Sequence, residues 1–323
     1  MLAALLAAST LAWYTHGEEH TTAASIAAEV DSATQLAENA ASPLREWLGS
    51  ASKTFDRVYN PYVMQSTMAD HARLLTTVEL AHRSMRVPGD FVETGVAAGG
   101  NTILMMAALD DAGSVAADKR HYACDSFRGL PEAGPLDLNR NNNCSLRSRA
   151  ESGAHGCGMK GGSKKDEEAQ AAGMRGKFAF ARNVFEHNVR VSPIAFNRMV
   201  VVEGWFNESL PPANTGLQRI AFLRMDGDLF ESTYSVLNAL YPLVSPGGAV
   251  YIDDYGSFGG CKLAVDKYRQ EHAIRAPMTK AWGKAKGQQN KGGSHASAAQ
   301  AKVTSTPQAK AGYLFDAVWW IKE

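Results

Sequence analysis

Residues 220–228 read IAFLRMDGD, a nearly continuous apolar run that ends abruptly in two carboxylates. The run lacks the alternation of apolar and polar residues, which is typical of a strand buried on both faces of a parallel sheet. Apolar residues then recur at helical spacing over 232–243, SPGG at 245–248 breaks that helix, and AVYI at 249–252 forms the next strand. Such a strand, helix and strand form the repeating unit of an α/β protein.

The same alternation extends outward from this unit in both directions along the chain. It predicts an α/β fold, with a mostly parallel sheet whose two faces are covered by helices. Further strands are predicted at 91–93, 121–124, 198–202 and 313–321, and further helices at 101–108, 178–187 and 261–271.

The composition excludes several classes of protein. The 323 residues, 45% hydrophobic and 20% charged, suffice for one large α/β domain or two modest ones. Lys and Arg number 33, as do Asp and Glu, so the chain lacks the basic excess of a nucleic-acid-binding protein. The spacing of the four cysteines fits neither a disulfide scaffold nor a zinc site, and they are Cys124, Cys144, Cys157 and Cys261.

Three segments stand outside the strand and helix pattern. Residues 1–55 open with an apolar run at 2–14 that has no basic residue before it, and they are predicted to be a leader or tether preceding a domain at 56–323. Segments at about 133–174 and 283–312 are rich in polar residues and glycine and are predicted as flexible surface inserts. A cytoplasmic location without an integral membrane span is expected, and the apolar start leaves secretion or organelle import as the alternative.

The first predicted strand leads into a glycine-rich turn, ETGVAAGG at 93–100. Gly95 and Gly99 would let the backbone approach a ligand closely, although a tight turn without a ligand is the structural alternative. Asp125 ends the next strand, thirty residues after Gly95, where a carboxylate can accept both ribose hydroxyls of a nucleoside cofactor. This spacing fits NAD and S-adenosylmethionine equally. Glu93 favours S-adenosylmethionine, because a carboxylate attracts a sulfonium and repels a pyrophosphate.

Acidic residues also follow two neighbouring strands of the predicted sheet. Asp226 and Asp228 come after one strand, and Asp253 and Asp254 come after the next. Because these strand ends should lie side by side, the carboxylates should converge and repel one another unless they are protonated or bind a metal. Oxygen ligands favour Mg²⁺, Mn²⁺ or Ca²⁺ over zinc. The structural alternative is that one Asp caps the following helix and another faces solvent.

Five motifs occur in order along the chain: VPGDFVETGV at 87–96, CDSFRGLP at 124–131, EGWF at 203–206, LRMDGDLFEST at 223–233 and IDDY at 252–255. Together they resemble the macrocin O-methyltransferase (TylF-type) family. Members of that family are S-adenosylmethionine-dependent and metal-dependent enzymes that methylate sugar hydroxyls on natural products. The resemblance covers roughly residues 60–320 apart from the two inserts, which lie where the family is usually shorter.

The resemblance implies a Rossmann-like class I methyltransferase sheet with an antiparallel last strand. The cofactor-binding residues that it implies are Glu93, Thr94, Gly95, Gly99, Asp125 and Ser126, with Met64 and Thr67 closing the site. The Mg²⁺ ligands that it implies are Asp226, Asp253 and Asp254, and the catalytic residues are Asp226 and Asp228, with Asp228 as the general base.

The function that follows is methyl transfer from S-adenosylmethionine to a hydroxyl of a sugar or glycosylated small molecule, with Mg²⁺ acidifying that hydroxyl. A catechol-like phenol is the alternative acceptor, since vicinal oxygens chelate a metal in sugars and in catechols alike.

A nicotinamide-dependent oxidoreductase would need a fuller glycine motif and a catalytic pair that the sequence lacks. A non-catalytic cofactor-binding scaffold is the remaining alternative. The expected partner is the small-molecule acceptor and no nucleic acid, and a homo-oligomer is compatible with the sequence.

Overall fold

The computed structural model describes residues 49–137, 173–284 and 313–323. Most of the predicted leader and most of both predicted inserts lie outside these ranges, so their assignment stays a prediction. The ends of the first insert are nevertheless part of the core, since Asp137 and Met174 are both buried. In the described part of the chain, no helix has the length and apolarity needed to cross a membrane.

In the described part of the chain, seven strands form one mixed sheet. They are β1 (Asp90–Thr94), β2 (His121–Asp125), β3 (Met199–Glu203), β4 (Ile220–Met225), β5 (Val244–Ile252), β6 (Thr279–Lys284) and β7 (Tyr313–Ile321). Their order is β3-β2-β1-β4-β5-β7-β6, with β1 to β5 parallel and β7 antiparallel to both β5 and β6. The predicted mostly parallel sheet with an antiparallel last strand is confirmed. The edge strand β6 has no counterpart among the predicted strands.

Besides a helical segment at 49–58, five helices of more than two turns lie in the described residues. They are α1 (His71–Arg83), α2 (Gly100–Asp111), α3 (Arg182–Val191), α4 (Phe230–Leu240) and α5 (Gly259–Glu271). The helical segment at 49–58 continues into a π-helical turn at Tyr59–Val63. Single helical turns lie at Phe206–Ser209 and Pro212–Thr215.

The SPGG segment lies inside β5, whereas the sequence predicts a break before that strand. The pairing of β4 with β5 shifts here, because Ile220 lies opposite Val244 while Phe222 lies opposite Ala249. The extra residues of β5 are accommodated in a bulge, where a proline and positive-φ Gly247 are tolerated. The predicted helix at 232–243 accordingly ends at Leu240, and a 3₁₀ turn at Tyr241–Leu243 leads into the strand.

Both faces of the sheet are buried, which explains why its central strands lack alternation. Val92, Leu223 and Val250 belong to the core that includes residues of α4 and α5. Phe91 and Phe222, on the opposite face, belong to the core that includes residues of α1 and α2. The carboxyl ends of the parallel strands are therefore the part of the sheet open to a ligand.

A polar contact joins the helices at the other, amino edge of the sheet. The Thr54 hydroxyl donates to Asp111 Oδ2 at 2.6 Å and lies 2.8 Å from Nε2 of His82. His82 and Asp111 occupy the last turns of α1 and α2, and Thr54 is buried. This contact holds the N-terminal helical residues 51–58 against the domain.

We expect Thr54→Val to lower the free energy of unfolding by about 1–2 kcal/mol, because it removes buried hydrogen bonds without changing side-chain size. Urea denaturation followed by circular dichroism measures the change. Thr76→Val is the matched control, since the Thr76 hydroxyl donates only locally to the Ala72 carbonyl at 2.9 Å. Equal unfolding midpoints for the two variants would contradict the prediction.

Candidate active site

The carboxyl edge of the sheet carries three non-glycine residues with left-handed backbone. Ala97, Phe127 and Asp228 have φ of 48°, 54° and 57°, and they follow β1, β2 and β4 respectively. This conformation is uncommon for L-residues, and it concentrates where a ligand or catalytic group requires an unusual turn. Three adjacent turns of this kind mark the edge as a candidate site.

Gly95 lets the turns after β1 and β4 touch. Its φ is 83°, and a Cβ atom placed there would lie 1.9 Å from the carbonyl oxygen of Asp226. Asp226 N in turn donates to the Thr94 carbonyl at 2.8 Å. The predicted cofactor turn and the predicted acidic cluster are therefore in direct backbone contact.

Asp125 braces the glycine turn through backbone N–H groups. Its Oδ2 accepts from Val96 N at 2.9 Å and Ala97 N at 3.3 Å, and its Oδ1 accepts from Phe127 N at 2.7 Å. Burial raises the pKa of Asp125 above its ordinary value, and these donors oppose that rise. Ser126 beside it is buried and donates to the Gly129 carbonyl at 3.2 Å.

The segment that carries Met64 and Thr67 lies against the start of α2. Gly100 N donates to the Ser66 carbonyl at 2.9 Å, and a Cβ atom at Gly100 would lie 2.7 Å from Cβ of Thr67. Gly99 precedes α2 with φ of 98° and provides no side-chain cap. The structure thus brings this segment to the glycine turn, and its role in closing a cofactor site stays a prediction.

Glu93 is fully buried beneath the glycine turn. Its Oε2 accepts from the Thr102 hydroxyl at 2.5 Å and lies 3.4 Å from Nε2 of His121. Its Oε1 has no hydrogen-bond partner among the described residues and lies 3.6 Å from a guanidinium nitrogen of Arg224. Thr94 is buried as well. Glu93 therefore lies below the turn and not on its exposed surface.

Three carboxylates converge beside this turn. Asp226, Asp228 and Asp254 each place one oxygen so that all three lie within 4.8 Å of one another. Burial and the neighbouring carboxylates raise the pKa of Asp226 to about 6, and they raise the pKa values of Asp228 and Asp254 well above the ordinary value. A convergent set of oxygen donors carrying excess negative charge fits a hard divalent cation.

Asp253 lies beside that convergent group but binds two arginines. Its Oδ2 accepts from Arg73 at 2.8 Å, and its Oδ1 accepts from Arg224 at 3.0 Å and from the Tyr251 hydroxyl at 3.2 Å. Burial would raise the pKa of Asp253, but Arg73 and Arg224 hold it below its ordinary value. Of the predicted Mg²⁺ ligands, the structure thus groups Asp226 and Asp254 with Asp228 and sets Asp253 against the arginines.

Arg224 is the residue that the sequence analysis missed. It is fully buried, and its guanidinium donates to Asp226 Oδ2 and to Asp253 Oδ1, both at 3.0 Å. A signal was present, because an arginine inside an otherwise apolar strand needs acidic partners when it is buried. Arg73 gives no such signal, since it lies in an ordinary amphipathic helix.

The fold and the edge geometry define a class of protein. The chain is similar to the solved structure of the O-methyltransferase NovP, with a TM-score of 0.55 and 28% sequence identity over 80% of this chain and 82% of that one. The predicted Rossmann-like class I methyltransferase sheet is therefore confirmed.

The sequence profile described as Macrocin-O-methyltransferase (TylF) matches residues 12–153 and 158–285, so the chain belongs to this family. It is 36% identical over 193 residues to an 8-demethyl-8-(2,3-dimethoxy-alpha-L-rhamnosyl)-tetracenomycin-C 4'-O-methyltransferase of Streptomyces olivaceus, covering 60% of this chain and 62% of that relative. It is 35% identical over 188 residues to a demethyldecarbamoylnovobiocin O-methyltransferase of Streptomyces niveus, covering 58% and 61%. The matches thus span about three fifths of these relatives' length.

We expect the melting temperature of the ligand-free protein to fall as the pH rises from about 4 to about 7. A group whose pKa is raised on folding stabilises the protein at low pH and loses that contribution as the pH rises through the folded pKa. The pKa of Asp226 rises from 3.8 to about 6, and those of Asp228 and Asp254 rise well above 3.8. Calorimetry across this pH range measures the fall.

Asp228→Asn should flatten this fall, because it removes one of the mutually repelling charges. Burial also raises the pKa of Glu79 to about 7, so both proteins carry Glu79→Gln to remove that separate contribution. Parallel curves with and without Asp228→Asn would contradict the assignment of the pH dependence to the cluster.

Proposed function

We propose that this protein is an S-adenosylmethionine-dependent and Mg²⁺-dependent O-methyltransferase that acts on a hydroxyl of a sugar or glycosylated small molecule. The observation that carries the proposal is the contact between the Gly95 turn and Asp226, which places a cofactor-type turn directly beside three convergent carboxylates. Family membership supports methyl transfer, and the rhamnosyl group in the name of one matched relative supports a glycosylated acceptor.

The cofactor would supply the methyl group as a sulfonium. We propose that it lies on the glycine turn, with the uncapped start of α2 on one side and Asp125 on the other. The proposed contacts are Glu93, Thr94, Gly95, Gly99, Asp125, Ser126, Met64 and Thr67. The buried charge of Glu93 below the turn favours a cationic cofactor over a pyrophosphate.

A bound Mg²⁺ would act as a Lewis acid that lowers the pKa of an acceptor hydroxyl. The donor set fits this ion, because it offers only oxygen ligands with excess negative charge. We propose Asp226 and Asp254 as ligands, while Asp253, the third ligand implied by the family resemblance, is anchored by Arg73 and Arg224.

Asp228 is the proposed general base. Burial and the charges of Asp226 and Asp253 raise its pKa, so it takes up a proton more readily than an exposed aspartate would. With S-adenosylmethionine bound, the methyl group would pass from its sulfur to the acceptor oxygen, and the Asp228 carboxylate would take the proton of that hydroxyl. Holding the reacting atoms in line accounts for much of the rate.

We expect Asp226→Ala to reduce methyl transfer by about a hundredfold or more, because it removes a cation ligand beside the reacting atoms. Affinity for S-adenosylhomocysteine, measured by calorimetry, should change by no more than about threefold, since the glycine turn provides those contacts. Thr54→Val, at the opposite edge, is the control for general destabilisation. A fully active Asp226→Ala protein would overturn the assignment.

A panel of glycosides and catechols, assayed by mass spectrometry with Mg²⁺ or with EDTA, tests the acceptor class. We expect methylated glycosides with Mg²⁺ and loss of product with EDTA. Methylation of catechols alone would establish the phenol alternative. Binding of S-adenosylhomocysteine without transfer to any member would favour a non-catalytic scaffold.

A further inference from the structure

We propose that Asp137 is a positioning residue for the acidic cluster, which it holds by fixing the turn at 226–229 from a distant loop. The proposal rests on the function proposed above. Asp137 lies within the first predicted insert, where the sequence analysis assigned no role to any residue. Its side chain is nonetheless buried, with 1% exposure.

The Asp137 carboxylate caps α4 across the structure. Its Oδ1 accepts from Phe230 N at 2.7 Å, and its Oδ2 accepts from Gly134 N at 2.9 Å. Leu229, which directly precedes α4, offers no side-chain acceptor for the first N–H groups of the helix. Asp137 supplies the acceptor that a local Asp or Ser would provide in most helices. The turn between Asp226 and α4 is therefore held at its helical end by a remote side chain.

The same carboxylate also lies against the first turn of α5. A Cβ atom at Gly260 would be 1.8 Å from Asp137 Oδ1 and 3.0 Å from Phe230 N, so only glycine leaves room for the carboxylate. Phe258, which precedes α5, provides no side-chain cap. The amino ends of both helices favour a negative charge at this point. Asp137 thus sits where the two helices that follow the acidic turns begin.

This position matters because the turn it holds is strained. Asp228 has φ of 57°, and such a conformation persists only where the surroundings enforce it. At the strand end, Asp226 N is bound to the Thr94 carbonyl at 2.8 Å, and at the helix end Phe230 N is bound to Asp137. Asp228 N also donates to Asp254 Oδ2 at 3.3 Å. Without Asp137, the turn can relax and the spacing of Asp228 from Asp254 changes.

The experiment compares two substitutions that disrupt the hydrogen bond from Phe230 N to Asp137. Asp137→Ala removes the carboxylate, and Gly260→Ala fills the space that the carboxylate occupies. We expect each substitution to lower kcat by about tenfold or more, because small displacements of the reacting groups slow the reaction strongly. The KM for S-adenosylmethionine should change by no more than about twofold. Mn²⁺ affinity, measured by electron paramagnetic resonance without acceptor, should weaken by about threefold or more in both. The double variant should be no worse than either single one, since all three lose the same contact.

Asp137→Asn keeps an acceptor for Phe230 N, so its kcat and Mn²⁺ affinity should lie closer to those of the wild type. Thr54→Val controls for loss of a buried polar contact remote from the site. Single variants that match Thr54→Val in kcat and Mn²⁺ affinity would overturn the positioning role, and so would additive losses in the double variant. If Asp137→Ala does not fold, Gly260→Ala and Asp137→Asn decide the question.

A wild-type protein that shows no Mg²⁺-dependent methyl transfer would refute the proposed function rather than the positioning role. The Mn²⁺ measurements still test Asp137 in that case, because they require neither an acceptor nor turnover. Equal Mn²⁺ affinity in the wild type and both single variants would then overturn the role of Asp137.

Discussion

The carboxyl edge of this sheet depends on the burial of one guanidinium group among carboxylates. Placing an ion in the protein interior costs several kcal/mol unless its partners are close and well oriented. Arg224 meets that condition, with Asp226 and Asp253 each at 3.0 Å and Glu93 at 3.6 Å. The acids depend on Arg224 in the same way, because without it their charges would face one another across a buried site.

A second arginine extends this network to the first helix. Arg73 of α1 binds Asp253 at 2.8 Å and also Asp70, which caps α1 through the N–H groups of Ala72 and Arg73. The segment just before α1 lies against the start of α2, beside the glycine turn, as the hydrogen bond from Gly100 to Ser66 demonstrates. The charges at Arg73 therefore join the segment beside the glycine turn to the strand end that carries Asp253.

Much of the site follows from local sequence, because parallel strands end at a common edge. The apolar strand that includes Leu223 ends at Asp226, and the next ends at Asp253, so their proximity could be predicted without coordinates. The identity of the converging oxygens could not. Asp253 and Asp254 are adjacent in sequence, yet one faces the arginines and the other joins the cluster. Side-chain direction at a strand end depends on contacts from other elements, and Arg73 lies 180 residues away from Asp253.

The sequence by itself determined the alternation of strands and helices, the buried character of the central strands and the placement of glycines and acids after them. These properties are set by local periodicity and residue chemistry. Only the tertiary structure decided which acids converge, that Glu93 lies beneath its turn, and that Asp137 caps a helix 93 residues further along. Each of these depends on contacts between residues distant in the chain, which form only once the helices and strands have packed together.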